Sequence, residues 1–297
     1  MDKEYEASLK SIETENLLDK LFYRPLGFLI AKKLRHTSVT PNAVTFLSIF
    51  VGVAGACLFF FNDLSLNLLG VACLVFANIL DCVDGQLARL TGIKSPFGRI
   101  LDGLAGDLWF LTIYTSLVLR LHQQTGSWIF LPVALCSALS HLFQANITDY
   151  YKTLHLYFIS PQAGAEFQTA QQVEDAHSRR PPGLGKAILL LYRLYTLLQI
   201  RATPQLQAML QRLNAAFGDD IPEHIRLHFR QHSARLMHRW VDWLTFNGRS
   251  LVLFALLFAF PQALWAYFLF EILLLNLVLF SAIQRHERLC ASIGLNP

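Results

Sequence analysis

The chain of 297 residues is 54% apolar and only 15% charged, with a formal net charge of +4. A soluble globular domain usually contains about 25% charged residues. The low charge and the long apolar runs therefore argue against a soluble domain and indicate a chain that spans lipid. The modest positive charge is expected of a protein at a membrane surface, so no nucleic-acid partner is needed to explain it.

Six apolar runs are each long enough to cross the hydrocarbon core, which takes about 20 helical residues. They cover roughly 42–61, 67–90, 100–121, 127–147, 248–264 and 265–283. Pro261 separates the last two runs, which would otherwise form one over-long helix. We therefore predict an all-α integral membrane protein with six transmembrane helices.

The distribution of basic residues predicts the orientation. They concentrate in the leader, in the 90–99 loop, in the 150–247 segment and in the tail. Arg120 is the one basic residue that falls in a loop predicted for the opposite side. Because cytoplasmic loops carry an excess of Lys and Arg, both ends of the chain are expected in the cytoplasm.

These features divide the chain into four regions. Residues 1–41 form a cytoplasmic amphipathic leader with a helix on the membrane surface. Residues 42–159 hold the first four spans, and residues 248–297 hold the last two spans and the tail. Residues 160–247 form a cytoplasmic or interfacial helical insertion, which begins with a loop rich in Pro and Gly at 160–186.

The insertion carries three histidines spaced four residues apart, His224, His228 and His232. This spacing could align metal ligands on one helix face. Apolar residues recur at helical spacing in the same segment, and arginines occupy its other faces. We therefore interpret it as a basic helix on anionic lipid, with the histidines on its polar face.

A group of acidic residues lies at the adjoining ends of the second and third predicted spans. Four aspartates fall within residues 81–107, namely Asp81, Asp84, Asp102 and Asp107. Carboxylates in spans are costly and usually functional. The first two share a helix face, and a short loop makes the two helices neighbours, so their acidic ends can face each other across a cation. Oxygen ligands suit Mg²⁺, Mn²⁺ or Ca²⁺, and the lack of a histidine or a close cysteine pair among these aspartates argues against zinc.

Small and basic residues accompany these carboxylates. Gly85, Ala88 and Gly98 leave space for a ligand, and Arg89 and Arg99 stand where they could neutralise phosphate oxygens. The alternatives are close packing of spans for the small residues and ordinary cytoplasmic charge for the arginines. A proton relay or ion pathway, in a transporter or channel-like protein, is the alternative for the aspartates.

This segment resembles the signature of the CDP-alcohol phosphotransferase family, D-x2-D-G-x2-A-R-x8-G-x3-D-x3-D. Every gap is correct at the matching residues, which are Asp81, Asp84, Gly85, Ala88, Arg89, Gly98 and Asp102. The segment SVTPNAVT (38–45) is also similar to the family's approach to its first helix. The resemblance covers about residues 1–155 and, more loosely, the last two spans.

The resemblance implies a membrane phosphotransferase of phospholipid synthesis. Such an enzyme moves a phosphatidyl-type group from a CDP-linked lipid, such as CDP-diacylglycerol, to a hydroxyl acceptor and releases CMP. It implies a divalent metal, Mg²⁺ or Mn²⁺, on Asp81, Asp84 and Asp102. The residues expected to bind nucleotide and substrate are Asn42, Thr45, Gly85, Ala88, Arg89, Gly98 and Arg99. The expected partners are these two substrates and membrane lipid, without nucleic acid, and a homodimer is left open.

The match departs from the family at one position. The fourth aspartate, usually the general base, would stand at position 106, which is Gly106 here, and the carboxylate is Asp107. On an ideal helix Asp107 lies about 140° from Asp102, instead of about 40°. We predict a one-residue widening of the helix near Gly103 or Gly106 that restores Asp107 as the base. Otherwise the base is another group, or the chain is a catalytically altered member.

The acceptor is less sharply defined by the sequence. Lys152, after the fourth span, and Arg249, at the start of the fifth, could bind a phosphate-bearing acceptor, although positive charge is common at both places. The leader segment 15–34 is similar to that of members that use inositol phosphate. Glycerol phosphate and a small amino alcohol are the alternatives.

Overall fold

The computed structural model describes residues 3–93, 95–160, 184–218 and 220–294. Helices dominate these ranges, and no strand occurs in them, which confirms the predicted all-α fold. The predicted loop at 160–186 lies outside them except for its ends. The contacts divide the chain into a first unit, Met1–Leu142 with Phe246–Leu274, and a second unit, Phe143–Thr245 with Leu275–Pro297.

Twelve α-helices occur in the described residues. In chain order they are α1 (Lys3–Ser8), α2 (Arg24–Leu34), α3 (Pro41–Cys57), α4 (Leu64–Thr91), α5 (Pro96–Thr125), α6 (Phe130–Ile159), α7 (Leu184–Ala202), α8 (Pro204–Phe217), α9 (Glu223–Arg239), α10 (Phe246–Ala259), α11 (Trp265–Leu269) and α12 (Asn276–Ser292). Two π-helical segments interrupt them, Asp19–Tyr23 before α2 and Phe270–Leu275 between α11 and α12.

Five stretches of helix are long and apolar enough to span a membrane, within the described residues. They are Pro41–Phe60, Leu64–Thr91, Leu101–Thr125, Phe130–Ile159 and Trp265–Ser292. This supports a multi-pass membrane protein. Helix α10 is apolar but has only 14 residues, or about 21 Å against a hydrocarbon core of about 30 Å. The count of six spans therefore stays a prediction that depends on α10.

Capping residues explain where the long helices start and stop. Thr40, Asp63 and Ser95 have extended backbones, and their side chains accept a backbone N–H at the start of α3, α4 and α5 respectively. Gly92 and Gly126 end α4 and α5 in the left-handed conformation, with φ of 73° and 69°. The sequence alone thus determines these helix ends to within about a turn.

Close packing of small residues joins α3 to α4 and α5. A Cβ atom on Gly55 would lie 2.6 Å from the Cβ of Cys73 in α4. One on Gly52 would lie 2.2 Å from Nε1 of Trp109, a residue of α5 that is 2% exposed. Because neither glycine has room for a side chain, α3 holds α4 and α5 against itself at a fixed separation.

The expectation for Arg120 is wrong in one respect. It lies within α5 and is fully buried, instead of lying in a loop. Its guanidinium donates to the carbonyls of Phe59 (3.2 Å) and Phe61 (3.0 Å) and to Oδ1 of Asn62 (2.7 Å) and Asn67 (3.3 Å). Arg120 therefore stabilises the turn that joins α3 to α4, because the backbone carbonyls of that turn lack helical partners.

Replacing Gly52 with Ala tests the close contact between α3 and α5. The added methyl group meets the Trp109 indole, so we expect a loss of about 1–3 kcal/mol in the free energy of unfolding, typical of overpacking. The measurement is thermal unfolding of the purified protein in detergent. Gly103→Ala is the matched control, because a Cβ there meets nothing within 4 Å and helix propensity favours Ala by up to about 1 kcal/mol. Equal stability of the two variants would contradict this packing.

Reporter fusions test whether α10 crosses the membrane. If it does, the turn near Pro261 lies on the outer side, and a reporter active only outside the cytoplasm will be active when fused there. The same reporter is expected to be inactive when fused after residue 93 or at the C-terminal end. If reporters fused before and after α10 report the same side of the membrane, α10 does not cross it and the protein has fewer than six spans.

Candidate active site

The ends of α4 and α5 meet because the turn between them is short. Helix α4 ends at Gly92, and α5 begins at Pro96 after the capping residue Ser95. The C-terminal turns of α4 and the N-terminal turns of α5 are consequently neighbours in the first unit. This is the arrangement that the sequence predicted for the acidic motif.

Asp81, Asp84 and Asp102 converge at this end of the two helices. One oxygen from each carboxylate lies within 4.8 Å of the other two. Asp84 is 4% exposed, and its Oδ2 has no hydrogen-bond partner. Leaving a buried carboxylate oxygen without a donor is costly, so a cation fits as its partner. The donor set contains only oxygen, which suits a hard divalent ion such as Mg²⁺ or Mn²⁺.

The start of α3 borders the same end. Nδ2 of Asn42 donates to Oγ of Ser95 (3.3 Å), and the backbone N–H of Gly98 donates to the same oxygen (2.9 Å). A Cβ on Gly98 would lie 2.3 Å from Oδ1 of Asn42, so only glycine allows this approach. Thr45 is 2% exposed and within hydrogen-bonding reach of the Asp84 carboxylate. Three residues expected at the substrate site thus lie against the aspartates or the start of α5.

Gly85, Ala88 and Arg89 are half-buried on the last turns of α4. The guanidinium of Arg89 folds back over Gly85, where a Cβ would lie 3.2 Å from Nη2 and 3.6 Å from Nη1. This brings its positive charge near enough to interact with the charges of Asp84 and Asp102. Arg99 lies in the first turn of α5, and its side chain is outside the described part of the chain.

The predicted widening of α5 is wrong. Pro96–Thr125 is α-helical throughout, without a π-helical turn. Regular helix therefore turns Asp107 about 140° away from Asp102, and Asp107, which is half-buried, is not part of the aspartate group. It shares a face of α5 with Phe110, three residues later, whose ring packs on Phe246 of α10 at 5.9 Å. Its role as base stays a prediction.

Arg249 lies at the start of α10 and is 1% exposed. Its Nη1 is 3.0 Å from Oε1 of Glu271, and its guanidinium lies over the ring of Phe110, 5.9 Å from the centroid. Since Phe110 and Asp107 share a face of α5, Asp107 and Arg249 are both on the α10-facing side of that helix. Lys152, the other predicted acceptor residue, is half-buried on α6 in the second unit.

Glu271 was not predicted from the sequence as a site residue. It lies in the π-helical segment after α11 and is 0% exposed. Besides its arginine partner, Glu271 accepts hydrogen bonds from the hydroxyls of Tyr114 (2.5 Å) and Tyr267 (2.7 Å), and Nδ1 of His141 lies 3.8 Å away. A single acidic residue in the last apolar run is the signal that could have found it. The network ties α5, α6, α10 and α11 together inside the first unit.

The three histidines of α9 do not form a metal site with one another. His232 points its Nδ1 at the carbonyl of His228, 2.9 Å away in the same helix. Across residues 3–93, 95–160, 184–218 and 220–294, the only group of at least three His, Cys, Asp or Glu with metal-ligand spacing is the aspartate cluster. The placement of this helix on anionic lipid stays a prediction.

Comparison with known proteins agrees with the site. No curated protein matches the chain. The family model described as CDP-alcohol phosphatidyltransferase matches residues 38–173. That range begins at the SVTPN segment and includes all three converging aspartates together with Gly85, Arg89 and Gly98. The match supports the resemblance of this chain to the CDP-alcohol phosphatidyltransferase family over residues 38–173.

Proposed function

We propose that this protein transfers a phosphatidyl-type group from a CDP-linked lipid, such as CDP-diacylglycerol, to a polar hydroxyl acceptor, with release of CMP. The family provides the coarser activity, transfer of a phosphatidyl group from a CDP-alcohol in the membrane. The observation that supports the finer proposal is the convergence of Asp81, Asp84 and Asp102, with a buried and unpartnered oxygen on Asp84.

In this proposal the three aspartates hold a divalent ion, Mg²⁺ or Mn²⁺. When bound, the ion would neutralise charge on the donor's diphosphate and on the departing CMP. The carboxylates differ in burial: Asp84 is buried, Asp81 is half-buried and Asp102 is exposed. The site therefore opens on the side of Asp102, which is where the donor would approach.

The donor would lie along the last turns of α4. Gly85 and Ala88 present little side chain there, so the diphosphate can approach the helix backbone closely. Arg89 supplies positive charge directly above Gly85. The contact of Asn42 with Ser95 and Gly98 gives the donor site a rigid edge, because it joins α3 to α5 through both packing and hydrogen bonds.

The acceptor would approach from the α10-facing side of α5, where Asp107 and Arg249 lie. We keep Asp107 as the base on the pattern of the family alone, because regular helix turns it about 140° away from Asp102. It would take the proton of the acceptor hydroxyl as the hydroxyl oxygen bonds to the lipid-linked phosphorus and the bond to CMP breaks. Arg249 keeps its sequence-based assignment as the residue that would orient a phosphate on the acceptor, as in inositol phosphate. In the structure its guanidinium is buried and paired with Glu271. Lys152 is retained as a second acceptor residue on sequence grounds alone.

Asp84→Asn tests the metal site. The change removes a charged ligand and keeps the side-chain volume, so we expect CMP release to fall by more than about 100-fold, as for other deeply placed electrostatic groups. The assay supplies CDP-diacylglycerol, Mg²⁺ and a panel of acceptors that includes inositol phosphate and glycerol phosphate. Asp63→Asn is the control, because Asp63 is exposed at the other end of α4 and Asn also caps helices. Full activity in Asp84→Asn would disprove the metal assignment.

Asp107→Asn tests the base. If Asp107 takes the acceptor's proton, kcat falls by about 10²–10⁴-fold while the KM for the CDP-linked lipid is retained. The double variant Gly106→Asp with Asp107→Gly moves the carboxylate to about 40° from Asp102, and we expect it to keep part of the activity. Normal turnover in Asp107→Asn would show that Asp107 is not the base.

A further inference from the structure

Part of the leader is buried against the rest of the first unit, which the sequence did not indicate. Ser8 is 0% exposed, and Glu15 and Asn16 are each 5% exposed. The apolar residues predicted to lie on the membrane surface behave differently, since Leu17 and Leu21 are 69% and 71% exposed. The polar stretch of the leader therefore packs on protein, while these two leucines stay exposed.

Gln86 of α4 contacts the leader through hydrogen bonds. It is 0% exposed, and its Nε2 donates to Oγ of Ser8 (3.1 Å) and to the carbonyl of Arg24 (3.2 Å). A Cβ on Gly27 of α2 would lie 2.6 Å from Oε1 of Gln86. The leader is thus fixed to α4 by two hydrogen bonds and by a close helix contact.

Arg89 is held by the same leader residue. Its Nε donates to the carbonyl of Ser8, while its terminal nitrogens lie over Gly85 on the side of the aspartates. Gln86 and Arg89 are three residues apart, so they share a face of α4 that adjoins the face with Asp81 and Asp84. The leader therefore binds the guanidinium of Arg89 at Nε. The terminal nitrogens remain directed along α4 towards the carboxylates.

A neighbouring positive charge is neutralised by the leader itself. Arg24 is close enough to Arg89 for the two charges to repel, and Glu15 forms an ion pair with Arg24 at 3.0 Å. Without its contact to the leader, the Arg89 side chain would populate many rotamers. An arginine already fixed in place loses less freedom when it binds a ligand.

We propose that Ser8 and Gln86 are positioning residues that hold the Arg89 guanidinium over Gly85, ready to bind the diphosphate of the CDP-linked donor. This inference rests on the proposed function of the site. It makes the leader a working part of the donor site, in addition to a membrane-surface segment. Neither Ser8 nor Gln86 needs to touch the donor, because both act through Arg89.

Binding of CDP in the presence of Mg²⁺, measured by calorimetry on the full chain in detergent, tests this inference. Gln86→Met keeps the side-chain volume but removes both donated hydrogen bonds. We expect it to weaken CDP binding about tenfold and to raise the KM for CDP-diacylglycerol similarly, with kcat changed less than about threefold. Lys3→Ala, an exposed change in α1, is the control and is expected to bind CDP normally.

A double-mutant cycle separates positioning from a general structural effect. Arg89→Gln is expected to weaken CDP binding at least as much as Gln86→Met, and the double variant should bind no more weakly than Arg89→Gln alone. If Gln86→Met instead weakens binding by the same factor in both backgrounds, Gln86 does not act through Arg89 and the inference is wrong. If Gln86→Met fails to insert into the membrane, Ser8→Ala takes its place in the cycle and is judged by the same criteria. Ser8→Ala removes one of the two hydrogen bonds that Gln86 donates.

The outcomes distinguish the two proposals. If wild-type protein binds CDP and Gln86→Met binds it equally well, the positioning role is wrong while the proposed function stands. If wild-type protein does not bind CDP with Mg²⁺, the proposed donor site is wrong, and the role of Ser8 and Gln86 is wrong with it.

Discussion

Three carboxylates gathered within 4.8 Å of one another repel, and the structure around them has to hold them there. Burial of Asp84 strengthens the repulsion, because the surrounding medium screens charge less than water does. Such an arrangement persists only when rigid elements fix each residue. Here Asp81 and Asp84 are one turn apart on α4, and Asp102 stands in the second turn of α5, just after a short connection. A bound cation would relieve the repulsion that the packing sustains.

The packing of α3 contributes to this rigidity. Gly52 and Gly55 bring α3 into direct contact with α5 and α4, and the Asn42–Ser95–Gly98 contact joins α3 to α5 at the acidic end. In lipid, small residues at helix contacts are effective because close van der Waals packing replaces the hydrophobic drive available in water. The aspartates are therefore positioned by residues that have no chemistry of their own.

Two polar networks extend this frame within the first unit. At the end of α4, Ser8, Gln86 and Arg89 connect the leader to the aspartate-bearing helix. On the α10-facing side of α5, Arg249 and Glu271 form a buried ion pair. Breaking such a pair by removing one partner leaves an uncompensated charge, so both residues constrain the helices that carry them. The networks lie near the two groups of residues assigned here to donor and acceptor.

Local patterns in the sequence determined the class of the protein and the core of its site. Hydropathy predicted the long apolar helices, and the spacing of Asp81, Asp84 and Asp102 predicted the resemblance to the family. Both signals are local, because they lie within one helix or within two adjacent helices and the short turn between them. The predicted widening of α5 before Asp107 was wrong, because nothing near Gly103 or Gly106 forces the helix away from regular geometry.

Only the tertiary structure decided which distant residues meet. Ser8 reaches Arg89 across 81 positions, Arg120 binds the turn near Phe59, and Tyr114 donates to Glu271 across 157 positions. No periodicity links such residues, because a polar side chain inside a membrane protein needs some partner and the sequence does not say which one. The choice is made when the helices pack, and it converts an isolated Glu271 or Gln86 into part of the site's support.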